Sequence, residues 1–349
     1  MKKMSDLPKN VTPQIRLLLR LPVNWSFKLL KMRGSWQMVQ KSKLLVAYGE
    51  FDFASNSGEI MRGTDILVAT PGRLLHFLSE GIVSLVRLKC LCLDEADRLL
   101  DESFKEDFNK LIRADGFPEK KNLQMLLFGA TYPKMSERWI DSVLKRKHAT
   151  VKNARANAPN ARIVQTFEEC SSSQKLRKVL DYVVNIIQKH RSIKGNEEKT
   201  PRILIFVQKC QTADSYTFYL IANGIEACSL NSQRGQRSRE ETMCRFRENK
   251  ASVIVATDVM SRGVDIKDLQ YVINLDIPED FFTYVQRIGR TGRLETGYAH
   301  SFIDLNKNLG IVSELVHNLR KDGSVEVPQF MLDVVKPRRN IVNTTLPVE

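Results

Sequence analysis

The stretch Leu88-Lys89-Cys90-Leu91-Cys92-Leu93-Asp94-Glu95-Ala96-Asp97 decides how this chain is read. Leu91 to Leu93 reads as the tail of a buried strand, because parallel strands covered on both faces carry near-continuous apolar runs. Three carboxylates then follow within four residues. In an open α/β sheet, ligands bind just beyond the carboxyl ends of the strands. Acids placed there suit a magnesium ion held through water and an attacking water aligned on a phosphate. An acidic turn capping the next helix is the competing reading, since negative charge favours a helix N-terminus.

Outward from this stretch, apolar strands over 43–48, 64–69, 88–93 and 123–128 alternate with helical patterns over 73–80 and 97–112. That rhythm argues for a parallel sheet with helices on its faces. Residues 152–162, rich in Asn, Ala and Arg around Pro159, read as a linker. A second block repeats the alternation, with strands over 163–167, 202–207, 225–230, 252–257, 271–274 and 298–303. Its helical patterns lie over 174–188, 212–223, 236–248 and 306–319, and the polar stretch 190–200 reads as a surface loop. The fold class is therefore α/β. Residues 1–43 form an unassigned basic segment, 44–151 a partial domain, 152–162 the linker, 163–335 a second domain and 336–349 a tail.

At 349 residues the chain holds about two domains. Its net charge of +14 points to an anionic partner, nucleic acid first, and +9 of it lies in residues 1–43. The six cysteines include no Cys-x-x-Cys pair, which favours a reduced compartment without a metal knuckle. No apolar run approaches the ~20 residues that span a bilayer.

Further stretches at strand ends bear chemistry. After the run Val253 to Ala256 comes Thr257-Asp258, and then Gly263 and Asp265. Thr257 can donate to a phosphate oxygen, Gly263 permits a tight turn, and Asp265 can accept from a ribose hydroxyl. Gln286-Arg287-Ile288-Gly289-Arg290-Thr291-Gly292-Arg293 sets arginines between glycines, a poor ordinary helix but a good anion clamp. A solvated basic turn is the alternative. Gln236-Arg237-Ser238-Arg239 opens a helix whose free N–H groups suit a phosphate backbone, and a solvent-facing helix start is equally open. The same phosphate argument applies to Thr70-Pro71-Gly72-Arg73, with Pro71 suited to a first helical turn.

In this order the motifs resemble the DEAD-box RNA helicases of superfamily two, within which the chain is most similar to the Vasa-like branch. The set includes Thr70-Pro71-Gly72-Arg73, Asp94-Glu95-Ala96-Asp97, Gly129-Ala130-Thr131, Gln236-x-x-Arg239, Ala256-Thr257-Asp258 and Arg287-Ile288-Gly289-Arg290-Thr291-Gly292-Arg293. The resemblance implies two tandem RecA-like domains, the first incomplete, with ATP and magnesium in the cleft and single-stranded RNA across both. It implies that Asp94 holds magnesium through water and Glu95 activates the attacking water. Arg290 and Arg293 would reach the γ-phosphate, while Asp265 and Gly263 meet the nucleotide. Thr70, Gly72, Arg73, Gln236, Arg239 and Thr257 would grip the RNA backbone, with little sequence preference. Asp97, Thr131, Gln286 and Arg287 would couple the domains. A monomer without membrane attachment is implied, cytoplasmic before nuclear.

The sequence also departs from that pattern. No Gly-x-x-x-x-Gly-Lys-Thr phosphate loop is found, and the glutamine motif and the Pro-Thr-Arg-Glu-Leu segment are missing. The backbone nest that cradles β- and γ-phosphates therefore has no counterpart. Glu50 replaces a glycine near RNA phosphate, Gly129 stands for Ser, Gln286 for His, and Asn231-Ser232-Gln233 for His-Gly-Asp. Loss of a central strand would leave buried backbone unpaired at ~1–3 kcal/mol per group. The expectation is a marginal first sheet unless residues 1–43 supply a substitute strand. The two function classes that follow are an ATP-dependent RNA helicase and an inactive helicase-derived binding protein.

Overall fold

A computed structural model describes residues 15–20, 43–47, 52–94, 96, 102–129, 139–141, 143–151, 159–194, 200–258, 269–293, 295–323 and 325–335. Of residues 15–20, 102–104, 194, 236 and 322 it describes the backbone alone. The chain divides into two compact units, one before Ala158 and the other, for the greater part, from there on.

The first unit runs β1 (Ile15–Arg20), β2 (Leu44–Ala47), α1 (Phe53–Met61), β3 (Ile66–Ala69), α2 (Pro71–Ser79), β4 (Leu88–Asp94), α3 (Glu102–Ile112), a 3-10 turn (Lys120–Asn122) and β5 (Gln124–Phe128). All five strands are parallel, in the order β2-β3-β1-β4-β5. The central slot is filled from the segment that sequence patterning leaves unassigned. Leu17 stands opposite Leu67 on one side and Leu91 on the other. The exception foreseen for residues 1–43 is thus realised: they supply a strand, and the neighbouring backbones are paired.

Helix α1 was not legible in the sequence. Asp52 caps it by accepting from the Ser55 N–H at 2.8 Å, and Asn56 Nδ2 ties it to the Val46 carbonyl. The core sets Leu67, Leu91 and Leu93 against Leu74, Phe77, Leu85 and Phe108, all under 2% exposed. Each such side chain contributes about 1.5–3 kcal/mol of burial. Strand β4 is not buried evenly. Leu88, Leu91 and Leu93 are buried while Lys89 is exposed and Cys90 and Cys92 are half-buried, so the expected continuous run resolves into an alternating one. At the outer edge, β5 is exposed at every second residue, with Leu126 36% and Phe128 56% exposed.

The second unit runs β6 (Ile163–Glu169), α4 (Lys175–Lys194), β7 (Arg202–Phe206), α5 (Cys210–Ala222), β8 (Ala227–Leu230), α6 (Gln236–Arg247), β9 (Val253–Ala256), β10 (Leu269–Asn274), α7 (Phe281–Ile288), β11 (Gly297–Ile303), α8 (Leu309–Asp322) and α9 (Gln329–Val335). Its six parallel strands lie in the order β6-β11-β10-β7-β9-β8. Successive strand residues face opposite ways and feed two cores. Ile203, Ile205, Val253, Val255 and Phe302 join Val179 and Val183 of α4, whereas Ala299 and Ile303 join Tyr284, Val312 and Leu315. The predicted loop over 190–200 needs correction at its start. Helix α4 continues to Lys194, since Lys189-His190-Arg191-Ser192-Ile193 holds no breaker before Gly195. Among the described residues no helix is long and apolar enough to cross a membrane.

Candidate functional site

Because every strand pair is parallel, the carboxyl ends of each sheet gather at one pole, where Thr70, Asp94 and Thr257 stand, whereas the turn bearing Arg290 and Arg293 precedes β11 and packs on the first residues of β6 and β10. In the first unit, Asp94 closes β4 half-buried, and the Ala96 N–H donates to the Phe128 carbonyl at 2.8 Å. That bond fixes the acidic turn against the end of β5. Glu95, Asp97 and Thr131 lie outside the described residues, as does Glu50, while Gly129 is exposed just past β5.

Thr70 precedes α2 in extended conformation with Pro71 at the first helical position, as Pro71's fixed φ favours. The Thr70 hydroxyl makes no capping hydrogen bond. Gly72 is exposed, and a Cβ there would meet nothing closer than Asp107 Oδ2 at 3.9 Å. Arg73 differs from a surface phosphate contact. It is 8% exposed, with its guanidinium carbon 5.5 Å from the Phe53 ring centroid and 5.7 Å from that of Phe77. A cation over two ring faces is held firmly. Phe77 is four residues along the same helix, a pairing local sequence contains, whereas Phe53 comes from α1 and could not be read from the neighbouring sequence.

In the second unit, Thr257 follows β9 and is 4% exposed. Its Oγ1 has no hydrogen-bond partner among the described residues, although its N–H donates to the Leu230 carbonyl at 3.3 Å. That bond sets Thr257 beside the loop from β8 to α6. Arg239 is 6% exposed in the first turn of α6, where Gln236 is described by backbone alone. In the same loop, Asn231 is fully buried and donates to Asp214 Oδ1 at 3.1 Å and Ser229 Oγ at 3.0 Å, while Arg234 pairs with Asp214 at 2.8 Å. Burial works to raise the Asp214 pKa, but the Ser229, Arg234 and Asn231 contacts outweigh it and hold the carboxyl below its ordinary value.

Arg287 is the centre of a buried polar layer. It is 1% exposed, with Nε 2.6 Å from Asp258 Oδ1 and Nη2 2.6 Å from Asp258 Oδ2. Nη1 donates to the Asp276 carbonyl and stands 3.4 Å from Asn274 Oδ1, and the guanidinium lies 5.0 Å from the Phe206 ring centroid. Asp276 in turn holds Lys175 Nζ at 2.6 Å and accepts from the Gln208 N–H at 3.0 Å. Gln286, next to it, buries an Oε1 that has no donor among the described residues. Sequence reasoning missed Asn274, Asp276 and Lys175. The signal available was a polar residue, Asn274, closing the apolar run Tyr271-Val272-Ile273.

The glycines of the arginine loop answer to sterics. Gly289 ends α7, where a Cβ would come within 3.0 Å of the Val285 carbonyl. Gly292 has φ +69° and a Cβ there would lie 2.5 Å from Ile163 Cγ1. Thr291 anchors the turn, its hydroxyl 2.7 Å from the Leu269 carbonyl. On that turn Arg290 and Arg293 direct Nε to the carbonyls of Gln286 and Gly289 at 3.1 and 3.4 Å. Gly263 and Asp265 lie outside the described residues. Among the described residues no group of three or more His, Cys, Asp or Glu could hold a metal ion.

Two parallel α/β units carrying these motifs define the tandem RecA-like class. Residues 28–139 match the DEAD/DEAH box helicase family and residues 174–295 the helicase conserved C-terminal domain. The chain belongs to the DEAD-box helicase family. It is 35% identical over 286 residues to the ATP-dependent RNA helicase glh-1 of Caenorhabditis elegans, covering 81% of this chain and 37% of that protein. To the ATP-dependent RNA helicase DDX4 of Mus musculus it is 35% identical over 293 residues, 84% of this chain and 40% of the relative. It thus spans about two fifths of the length of these relatives, which agree with the expected Vasa-like branch. In fold it is similar to S. cerevisiae Dbp5 bound to RNA and ADP BeF3, with a TM-score of 0.74 at 23% identity over 94% of this chain and 83% of that one. The helicase Mss116 bound to ssRNA and UDP-BeF gives 0.72 at 20% identity over 93% and 68%.

Proposed function

We propose that this chain binds the phosphate backbone of single-stranded RNA through the carboxyl-pole loops of its units, as an ATP-dependent RNA helicase of the DEAD-box family. The observation that carries the reading is Thr257. A buried hydroxyl without a partner costs about 1–3 kcal/mol, and this one sits at a strand end beside a helix start bearing Arg239, where a phosphate oxygen would satisfy it. Thr70, whose hydroxyl is not spent on capping, and the open backbone at Gly72 offer the matching contacts in the first unit.

For ATP the residues fit only in part. Arg290 and Arg293 stand on a turn that glycine sterics hold in place, and Asp94 supplies a carboxylate for magnesium through water. The lysine and backbone nest of a phosphate loop are not among these 349 residues. The missing nest favours a second reading, RNA binding without turnover.

Thr257→Val decides the RNA reading. Removing an unsatisfied hydroxyl should leave stability unchanged or raise it by about 1 kcal/mol, while weakening RNA binding roughly 5- to 10-fold. Lost stability with unchanged RNA affinity would reject it. RNA-stimulated phosphate release that vanishes in Glu95→Gln supports turnover. Its absence in a chain that still binds RNA supports the second reading.

A further inference from the structure

The amino-terminal pole of the first sheet carries a feature that the site above does not use. A groove of about 700 Å³ is lined by Lys120, Lys121, Asp141, Leu144, Lys145 and Arg146. Four of these six are cations, one is an acid, and one is apolar. The two walls are joined, since Lys145 Nζ donates to the Lys121 carbonyl at 3.1 Å across 24 residues of sequence. Lys121 Nζ lies 2.6 Å from Glu119 while its side chain remains 76% exposed. Lys120, Lys145 and Arg146 are exposed, and Lys147 extends the basic run beyond the groove.

Position separates this groove from the proposed site. The 3-10 turn Lys120–Asn122 stands just before β5, whereas Asp94 and the loop after Phe128 stand at the other end of the same strands. The five residues of β5 span about 16 Å. A chain held at the carboxyl pole must therefore continue past the sheet to reach the groove.

We propose that this groove is a second contact for the phosphate backbone of RNA. Clustered cations with little acid form the electrostatic footprint of a polyanion. The groove is concave, which suits a strand and not a flat anionic bilayer. A folded acidic partner would need apolar anchors at the centre of its interface, and here only Leu144 is available, half-buried. Phosphates spaced along a strand need none. The inference takes its ligand class from the RNA-binding reading but rests on a different face.

The test uses the full chain and labelled oligouridine of two lengths, one short and one long enough to pass from pole to pole. Salt titrations compare wild type with the triple variant Lys120→Gln, Lys145→Gln, Arg146→Gln. Each lost phosphate contact on a single strand lowers the slope of log affinity against log salt by ~0.7. The triple variant should therefore lose about 2 from the slope on long RNA, and nothing on short RNA. Because Lys145 also ties the two walls, a second variant keeps it and changes Lys120 and Arg146 alone, with an expected loss of about 1.4. A wild-type slope in both variants would overturn the inference and leave the carboxyl-pole reading standing. Equal loss on short and long RNA, or displacement of RNA by polyglutamate that the variants abolish, would also overturn it. Wild type that binds neither RNA would remove both readings together.

Discussion

The outer strands of the two sheets differ, and the difference shows where this chain keeps its stability. Strand β8 of the second unit is buried along all four residues, and β9 beside it is fully buried as well. The other edge, β6, carries Glu168 and Glu169, which Lys178 holds through an ion pair at 2.6 Å and a carbonyl bond at 2.9 Å. Charged residues on an edge discourage pairing with foreign strands. Strand β5 of the first unit has no charge in Gln124-Met125-Leu126-Leu127-Phe128 and exposes Leu126 and Phe128. The second unit is closed on its own terms, while among the described residues the first ends in an uncharged, partly exposed strand. Denaturation should therefore proceed in two steps, with the first unit yielding earlier.

The largest expected effect breaks the second unit and spares the first. Arg287→Met takes the bidentate partner from Asp258, which is 32% exposed, and the donor from the buried Asn274 Oδ1 and the Asp276 carbonyl, together costing about 3–5 kcal/mol. In urea unfolding only the later transition should move. An unchanged second transition would show that the buried layer contributes no stability.

Next in size is a pH effect. Burial against Tyr182, with ring centroids 4.0 Å apart, lowers the His300 pKa to about 4, outweighing Glu168 at 3.5 Å. The unfolded chain takes up a proton near pH 6.5 that the folded unit refuses until about pH 4. Stability is thus full above pH 6.5 and falls as pH drops through that window, by roughly 3 kcal/mol in all. Thermal melts of His300→Phe should lack this component, and an equally steep loss in that variant would assign it to other groups.

Gly292→Ala comes third. A positive φ and a Cβ that overlaps Ile163 should cost about 1–3 kcal/mol and loosen the turn bearing Arg293. A melting temperature equal to that of wild type would show the loop free to rearrange. The smallest effect on stability sharpens the contrast of edges. Leu126→Lys with Phe128→Lys should change folding by no more than about 0.5 kcal/mol, because both side chains are exposed. Light scattering on heating should nonetheless fall, and unaltered aggregation would locate the sticky surface elsewhere.

What could be read in advance followed from short-range pattern. Val253-Ile254-Val255-Ala256 is an apolar run with one interpretation, and its strand is fully buried. The glycines of the arginine loop were legible because glycine is a poor helix former, and Gly289 and Gly292 stand at and just past the end of α7. Ile15-Arg16-Leu17-Leu18-Leu19-Arg20 shows neither a period of two nor one of 3.6, since its place depends on partners far along the chain. The same holds for one of the two rings at Arg73: Phe77 lies four residues on in the same helix, but Phe53 comes from α1. Long-range pairing decides such positions, and pattern within a window does not contain it.

The strand at Ile15–Arg20 sets an order on synthesis. It leaves the ribosome before either neighbour, Ile66–Ala69 or Leu88–Asp94, has been made. The middle of the first sheet must therefore wait, with both flanks of its axial strand open, until the acidic turn has been translated. Non-local parallel pairing of this kind is slow and exposes unpaired edges to aggregation. A cell making this protein meets its most vulnerable moment early, during elongation, before the carboxyl half exists.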